Sequence, residues 1–124
     1  MQCPKCRHAM ERLNLPEADV HRCTHCRGLW FDMRTHELLK DRVDEIDTGD
    51  PALGEKCNEV DRIKCPVCIG GWDLLRMVDP RQPHIWFESC KNCYGRFYDA
   101  GEYQDFVHYD LADLIRDWKT PERL

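Results

Sequence analysis

Eight of the nine cysteines in this chain of 124 residues fall into two matched sets of four. Cys3-Pro4-Lys5-Cys6 is followed by Cys23-Thr24-His25-Cys26-Arg27-Gly28-Leu29-Trp30-Phe31-Asp32. Cys65-Pro66-Val67-Cys68 is followed by Cys90-Lys91-Asn92-Cys93-Tyr94-Gly95-Arg96-Phe97-Tyr98-Asp99. The C-x2-C pairs lie 16 residues apart in the first set and 21 in the second, the spacing of four-thiolate zinc sites. Each unit is near the size at which a hydrophobic core alone is marginal. A metal staple answers that need, because about 10 kcal/mol or more of zinc-binding free energy becomes folding free energy in such sites.

Disulfides are the competing use of so many cysteines, and they need an oxidising compartment. Met1-Gln2-Cys3 runs directly into the first pair, leaving no room for a signal peptide, and the cysteine count is odd. The expectation is therefore a reduced, cytoplasmic protein. No stretch is long and apolar enough to span a membrane, so no membrane partner is expected. Iron of the rubredoxin kind uses the same four ligands, and spacing does not separate it from the two expected Zn2+ ions.

A turn of C-x2-C presents two sulfurs to one ion while its backbone amides donate to those sulfurs, and two such turns complete a tetrahedron. Pro4 and Pro66 stiffen the first turn of each set. Gly28 and Gly95, two residues past the last cysteine of each set, are expected at positive φ. Four thiolates leave no open position for water or substrate, the mark of a structural site. No Ser/His/Asp set, phosphate loop or paired catalytic carboxylates emerges, so no catalytic residue is expected and the chain reads as a non-enzyme.

The elements expected around the cysteines repeat too. In the first copy, strands at Met10 to Leu15, Val20 to Arg22 and Leu29 to Phe31 precede a helix beginning near Met33 and capped by Asp32, with Leu39, Val43 and Ile46 facing the ribbon. In the second, strands at Leu74 to Val78, Ile85 to Glu88 and Arg96 to Tyr98 surround a longer turn at Asp79-Pro80-Arg81-Gln82-Pro83. Asp99 and Glu102 then form a capping-box-like pair. Leu111, Leu114, Ile115 and Trp118 lie at i, i+3, i+4 and i+7, one apolar face of a C-terminal helix that packs on the ribbons or on another chain.

The fold class is thus a small metal-stabilised α+β protein with two tandem zinc ribbons, each followed by a helix, plus the C-terminal amphipathic helix. Residues 1–47 form the first module, 48–62 a polar linker holding the ninth thiol, Cys57, and 63–124 the second module. Trp30, Phe31, Trp86, Phe87, Phe97 and Tyr98 read as core before they read as base-stacking platforms.

At the string Cys-x-x-Cys-x-Gly-x-Trp/Phe-Phe/Tyr-Asp, occurring twice after Cys-Pro-x-Cys, the chain resembles the transcription factor IIB-type zinc-ribbon family of small bacterial proteins. The resemblance implies one ion on Cys3, Cys6, Cys23 and Cys26 and another on Cys65, Cys68, Cys90 and Cys93. It also implies a helix starting at Asp99-Ala100-Gly101-Glu102. The first copy departs from the pattern at Met33-Arg34-Thr35, where the family tends to have glycine followed by glutamate, and Arg7 and Ile69 stand where a glycine often follows the first pair.

Formal charge is −5, and thiolate-saturated zinc sites take it to roughly −9. Residues 1–42 hold eight Lys/Arg against six Asp/Glu, so the acid sits in the remainder. Such a surface lacks the electrostatic term that supplies most non-specific nucleic-acid affinity. The favoured expectation is a module that engages a protein, with Leu111, Leu114, Ile115 and Trp118 as candidate contacts. The first alternative is local nucleic-acid binding through Arg7, Arg22, Arg27 and Arg34. The second is a zinc/thiol redox switch or chaperone. His8, His21 and His25 read as polar surface beside sites that already have their cysteines.

Overall fold

A computed structural model describes residues 1–60, 63–68, 71–79 and 82–108. Six strands, β1 (Met10–Asn14), β2 (Asp19–Cys23), β3 (Leu29–Phe31), β4 (Leu74–Asp79), β5 (Gln82–Cys90) and β6 (Arg96–Tyr98), form one antiparallel sheet in the order β1-β2-β3-β6-β5-β4. Each module supplies a three-stranded ribbon. The ribbons join where β3 pairs with β6, matching Leu29 with Tyr98, Trp30 with Phe97 and Phe31 with Arg96. Equivalent strands thus meet antiparallel, and an approximate two-fold axis passes between Trp30 and Phe97. The six expected strands form, with β5 beginning at Gln82 rather than Ile85; the turn before it lies partly outside the described residues.

The central strands are apolar because both faces of the sheet are covered, so alternation gives way to continuous burial. Leu29 and Phe31 point to one face, where they meet Leu39, Val43, Ile46, Phe87, Tyr98, Tyr103 and Phe106. Tyr98 centres this cluster, its ring 5.8 Å from Phe31, 5.5 Å from Phe87 and 5.5 Å from Tyr103. Trp30 and Phe97 point to the other face and pack among the cysteines with Ile63 and Leu74.

The two glycines beyond the knuckles serve this junction rather than a left-handed turn. A Cβ on Gly28 would lie 2.3 Å from the Phe97 ring, and one on Gly95 would lie 2.2 Å from the Trp30 ring. Each module leaves a bare backbone for the other's aromatic. Positive φ falls one residue earlier, at Arg27 (64°) and Tyr94 (61°), and again at Arg7 (64°).

The helices depart most from expectation. After β3 the chain forms α1 (Thr35–Leu38), a 3-10 turn (Lys40–Arg42) and α2 (Val43–Ile46) instead of one helix capped by Asp32. Arg34, at φ 63°, takes a left-handed conformation that a helix cannot include, so α1 starts after it without a side-chain cap. Leu39, Val43 and Ile46 are still buried, because the winding follows the sheet even where the helix breaks.

In the second module residues 102–108 are helical, but Asp99 does not cap them with its side chain. Its Oδ2 is taken by Lys5 Nζ at 2.6 Å. The cap comes from the first module: Asp47 Oδ1 accepts from the Gly101 amide (2.9 Å) and Oδ2 from the Gln104 amide (2.8 Å). Within the stretch expected as a linker, Pro51–Cys57 forms α3, capped by Asp50 Oδ1 on the Ala52 amide (2.9 Å). A Cβ on Gly54 would lie 2.0 Å from the Ala100 carbonyl oxygen, so α3 lies directly on the second module. Leu111, Leu114, Ile115 and Trp118 lie outside the described residues.

Candidate metal centres

The fold brings each cysteine set to one point. In the first, Sγ atoms of Cys3 and Cys26 are 3.7 Å apart and those of Cys6 and Cys23 3.3 Å. In the second, Cys65 and Cys93 are 3.8 Å apart and Cys68 and Cys90 3.7 Å. A zinc tetrahedron with Zn–S of about 2.3 Å has edges of about 3.8 Å, so both groups fit the ion. All nine cysteines are free thiols.

Amides support the sulfurs as the C-x2-C turn requires. The His25 and Cys26 amides each donate to Cys23 Sγ at 3.4 Å, the Cys68 amide to Cys65 Sγ at 3.4 Å, and the Asn92 amide to Cys90 Sγ at 3.4 Å. These donors favour thiolate. The Cys26 thiol, donating to Cys3, carries Cys3 down to about 5, and the same contact pushes Cys26 up. Four crowded thiols cannot all ionise by themselves, and a divalent cation removes that conflict. The two groups are compatible with two zinc ions. Zinc, when bound, supplies a tetrahedral cross-link between the two turns of each set.

Lys5, between the cysteines of the first pair, was not singled out by the sequence. Its side chain is fully buried, with Nζ 2.6 Å from Asp99 Oδ2 and 2.7 Å from Glu88 Oε1, and it donates to the Cys57 carbonyl at 3.1 Å. The ammonium also sits 5.7 Å above the Phe97 ring. A cation of the first module is thus sunk into two carboxylates of the second. Burial pushes Asp99 up to about 6 although Lys5 pulls it down. Among the described residues, Glu88 Oε2 and Asp99 Oδ1 have no hydrogen-bond partner. The signal was available in the sequence: the same position in the second set is Val67, which is exposed, and Glu88 aligns with His21.

The candidate nucleic-acid arginines do not form one cationic face. Arg22 Nε binds Glu11 Oε1 at 2.8 Å, and Nη1 donates to the Glu45 and Ile46 carbonyls that end α2, each at 3.2 Å. Arg27 lies 3.4 Å from the same Glu11 oxygen. Arg7 and Arg34 are exposed and make no ion pair among the described residues.

His21 is half-buried on β2, and burial holds its imidazole below the ordinary value. His8 and His25 are exposed and stacked on each other beside Cys6. Cys57, on α3, packs beside the first cysteine set, and burial raises its thiol. Trp30, Phe31, Phe87, Phe97 and Tyr98 are core as expected, whereas Trp86 is 39% exposed. Among the described residues, no helix is long and apolar enough to cross a membrane.

Residues 2–42 match the family described as the transcription factor zinc-finger, the zinc ribbon of the TFIIB type. No curated protein and no solved structure matches the chain. The match falls within the first module and on its four cysteines, and the second four-cysteine cluster, on the same succession of strands, is consistent with a second copy of the TFIIB-type zinc ribbon.

Proposed function

We propose that the chain is a zinc-stapled, non-enzymatic module that engages a protein partner along the β4 edge of its second ribbon. The observation that carries this reading is the apolar character of that edge. Leu75 (38% exposed) and Met77 (45%) project from the same face of the outermost strand. Natural sheets blunt such edges with charge. The opposite edge does so, through Arg12 with Asp19 and Glu11 with Arg22. Arg76 of β4 is spent internally, donating to the Asn58 and Val60 carbonyls and lying 3.6 Å from Glu88. Four-thiolate sites support a role without chemistry at the metal, and the family description supports a partner in the transcription machinery.

A Leu75→Lys, Met77→Lys double variant tests the reading. Both side chains are exposed, so zinc content and the far-ultraviolet spectrum are expected to stay as in the parent. The protein that co-purifies with the tagged parent from its native cell should be lost from the variant and should survive nuclease treatment. Retention by the variant, or loss on nuclease treatment, rejects the reading.

A second reading, contact with nucleic acid, has one local observation in its favour. A cleft between the modules, lined by Met33, Arg34, His36, Glu37, Ser89, Tyr94 and Arg96, holds two guanidiniums that make no ion pair among the described residues, although the Glu37 carboxylate also lines it. A salt-dependent gel shift weakened by Arg34→Gln supports this reading, and no shift at low salt removes it.

A further inference from the structure

The environment of Cys6 differs from that of its counterpart in a way the closed four-cysteine sites do not require. In the second module Asn92 Nδ2 donates to Cys68 Sγ at 3.3 Å, an ordinary supporting hydrogen bond to a metal-binding sulfur. The first module has His25 at that position, and it places His8 where the second has Gly70. The two imidazoles stack with centroids 4.1 Å apart and planes 11° from parallel. One ring nitrogen of each histidine and Cys6 Sγ all lie within 4.8 Å of one another. Cys6 is half-buried and both histidines are exposed, so this group opens outward from the first metal centre.

We propose that Cys6, His8 and His25 hold a second zinc ion beside the first, with the Cys6 thiolate bridging the two. Three features of the site support this. His8 Nδ1 donates to the Cys6 carbonyl at 3.1 Å, which fixes the tautomer and leaves Nε2 with its lone pair for a metal. The donor set of two imidazoles and one thiolate suits a borderline divalent cation such as Zn2+. A filled four-cysteine site carries a net charge of about −2, and a second cation bridged by one of its sulfurs neutralises that charge. Ligand atoms must draw in to roughly 3.3–3.8 Å for tetrahedral coordination, a rotation that two exposed rings can make. Three protein ligands leave the fourth position to water, so this ion exchanges with solvent while the buried one does not.

The stoichiometry of metal in the intact holoprotein tests the assignment. Equilibrium dialysis of the parent against free zinc should give three ions per chain, falling to two after a brief exposure to a weak chelator. The His8→Gln, His25→Asn variant should hold two throughout. Asparagine at 25 introduces the donor that Asn92 provides to Cys68 in the second module, so the variant separates a ligand from a supporting donor. With zinc in the four-cysteine sites, added Co2+ should give a thiolate-to-cobalt charge-transfer band in the parent and none in the variant. Two zinc ions in the parent, or a third that persists in the variant, overturns the proposal. Neither result bears on the β4 edge, whose test reads a protein partner instead.

Discussion

The outer strands β1 and β4 occupy the same place in two copies of one ribbon, yet one is laced with ion pairs and the other presents Leu75 and Met77 to solvent. The knuckles differ in the same sense. Lys5 is sunk between Glu88 and Asp99 of the opposite module, while Val67 at the matching position is 45% exposed. The first module therefore supplies the cation nearest both buried carboxylates of the second, where Arg76 reaches only Glu88 at 3.6 Å, and it lends Asp47 to the helix at 102–108. Among the described residues, the second module returns ring packing across the junction and no cation paired with a carboxylate of the first. Two units with the same succession of cysteines and strands thus form a donor half and a dependent half.

Metal removal is the harshest way to break that comparison. Replacing Cys3 and Cys6 by serine should cost about 10 kcal/mol or more of folding free energy and take both modules down, because β3, Lys5 and Asp47 are all lost to the second. Circular dichroism and zinc content report the outcome. A second module that stays folded with one zinc would show that the dependence is absent.

The next effect isolates Lys5. Lys5→Met leaves Asp99 buried without its ion-pair partner and Glu88 with only Arg76 at 3.6 Å, and is expected to cost about 3–5 kcal/mol, whereas Val67→Met at the matching exposed position should change stability by about 0.5 kcal/mol or less. Urea denaturation of the two zinc-loaded variants measures both. Equal losses would reduce the buried pairing to ordinary packing.

The strands and the metal centres were legible because their signals are local. Strand length, bulky apolar residues and cysteine spacing survive without knowledge of the partner chain segment, so Leu29-Trp30-Phe31 and both sets of four cysteines were found by pattern. What escaped involves the second module acting on the first. Asp99 looks like a helix cap until Lys5, 94 positions away, claims its oxygen. Asp47 looks like a residue after a helix until Gly101 and Gln104 bring their amides to it. Gly28 and Gly95 announce that a side chain is forbidden, but only the joined sheet shows that the Phe97 and Trp30 rings, rather than a left-handed φ, forbid it.

That reciprocal packing gives the third test. Gly28→Ala and Gly95→Ala each drive a methyl into an aromatic ring of the other module, and each should cost about 1–3 kcal/mol. The two losses are expected to be similar, since the clashes are 2.3 and 2.2 Å, related by the approximate two-fold. Thermal melts of the zinc-loaded variants compare them directly. A large disparity would mean that the junction is not symmetric in energy even though it is in pairing.

The smallest effect concerns the borrowed cap. Asp47→Ala removes both acceptors from the Gly101 and Gln104 amides and is expected to cost about 1 kcal/mol, seen as faster amide exchange over 102–108 with the sheet amides unaffected. Asp47→Asn should lose less, because its one amide oxygen can still accept from one of the two amides, while its NH2 cannot accept from the other. The same exchange measurement on α1, which starts at Arg34 without a side-chain cap, should show no change in either variant. Faster exchange there as well would mean that Asp47 holds the two modules together rather than capping one helix, since only a loosened junction reaches both.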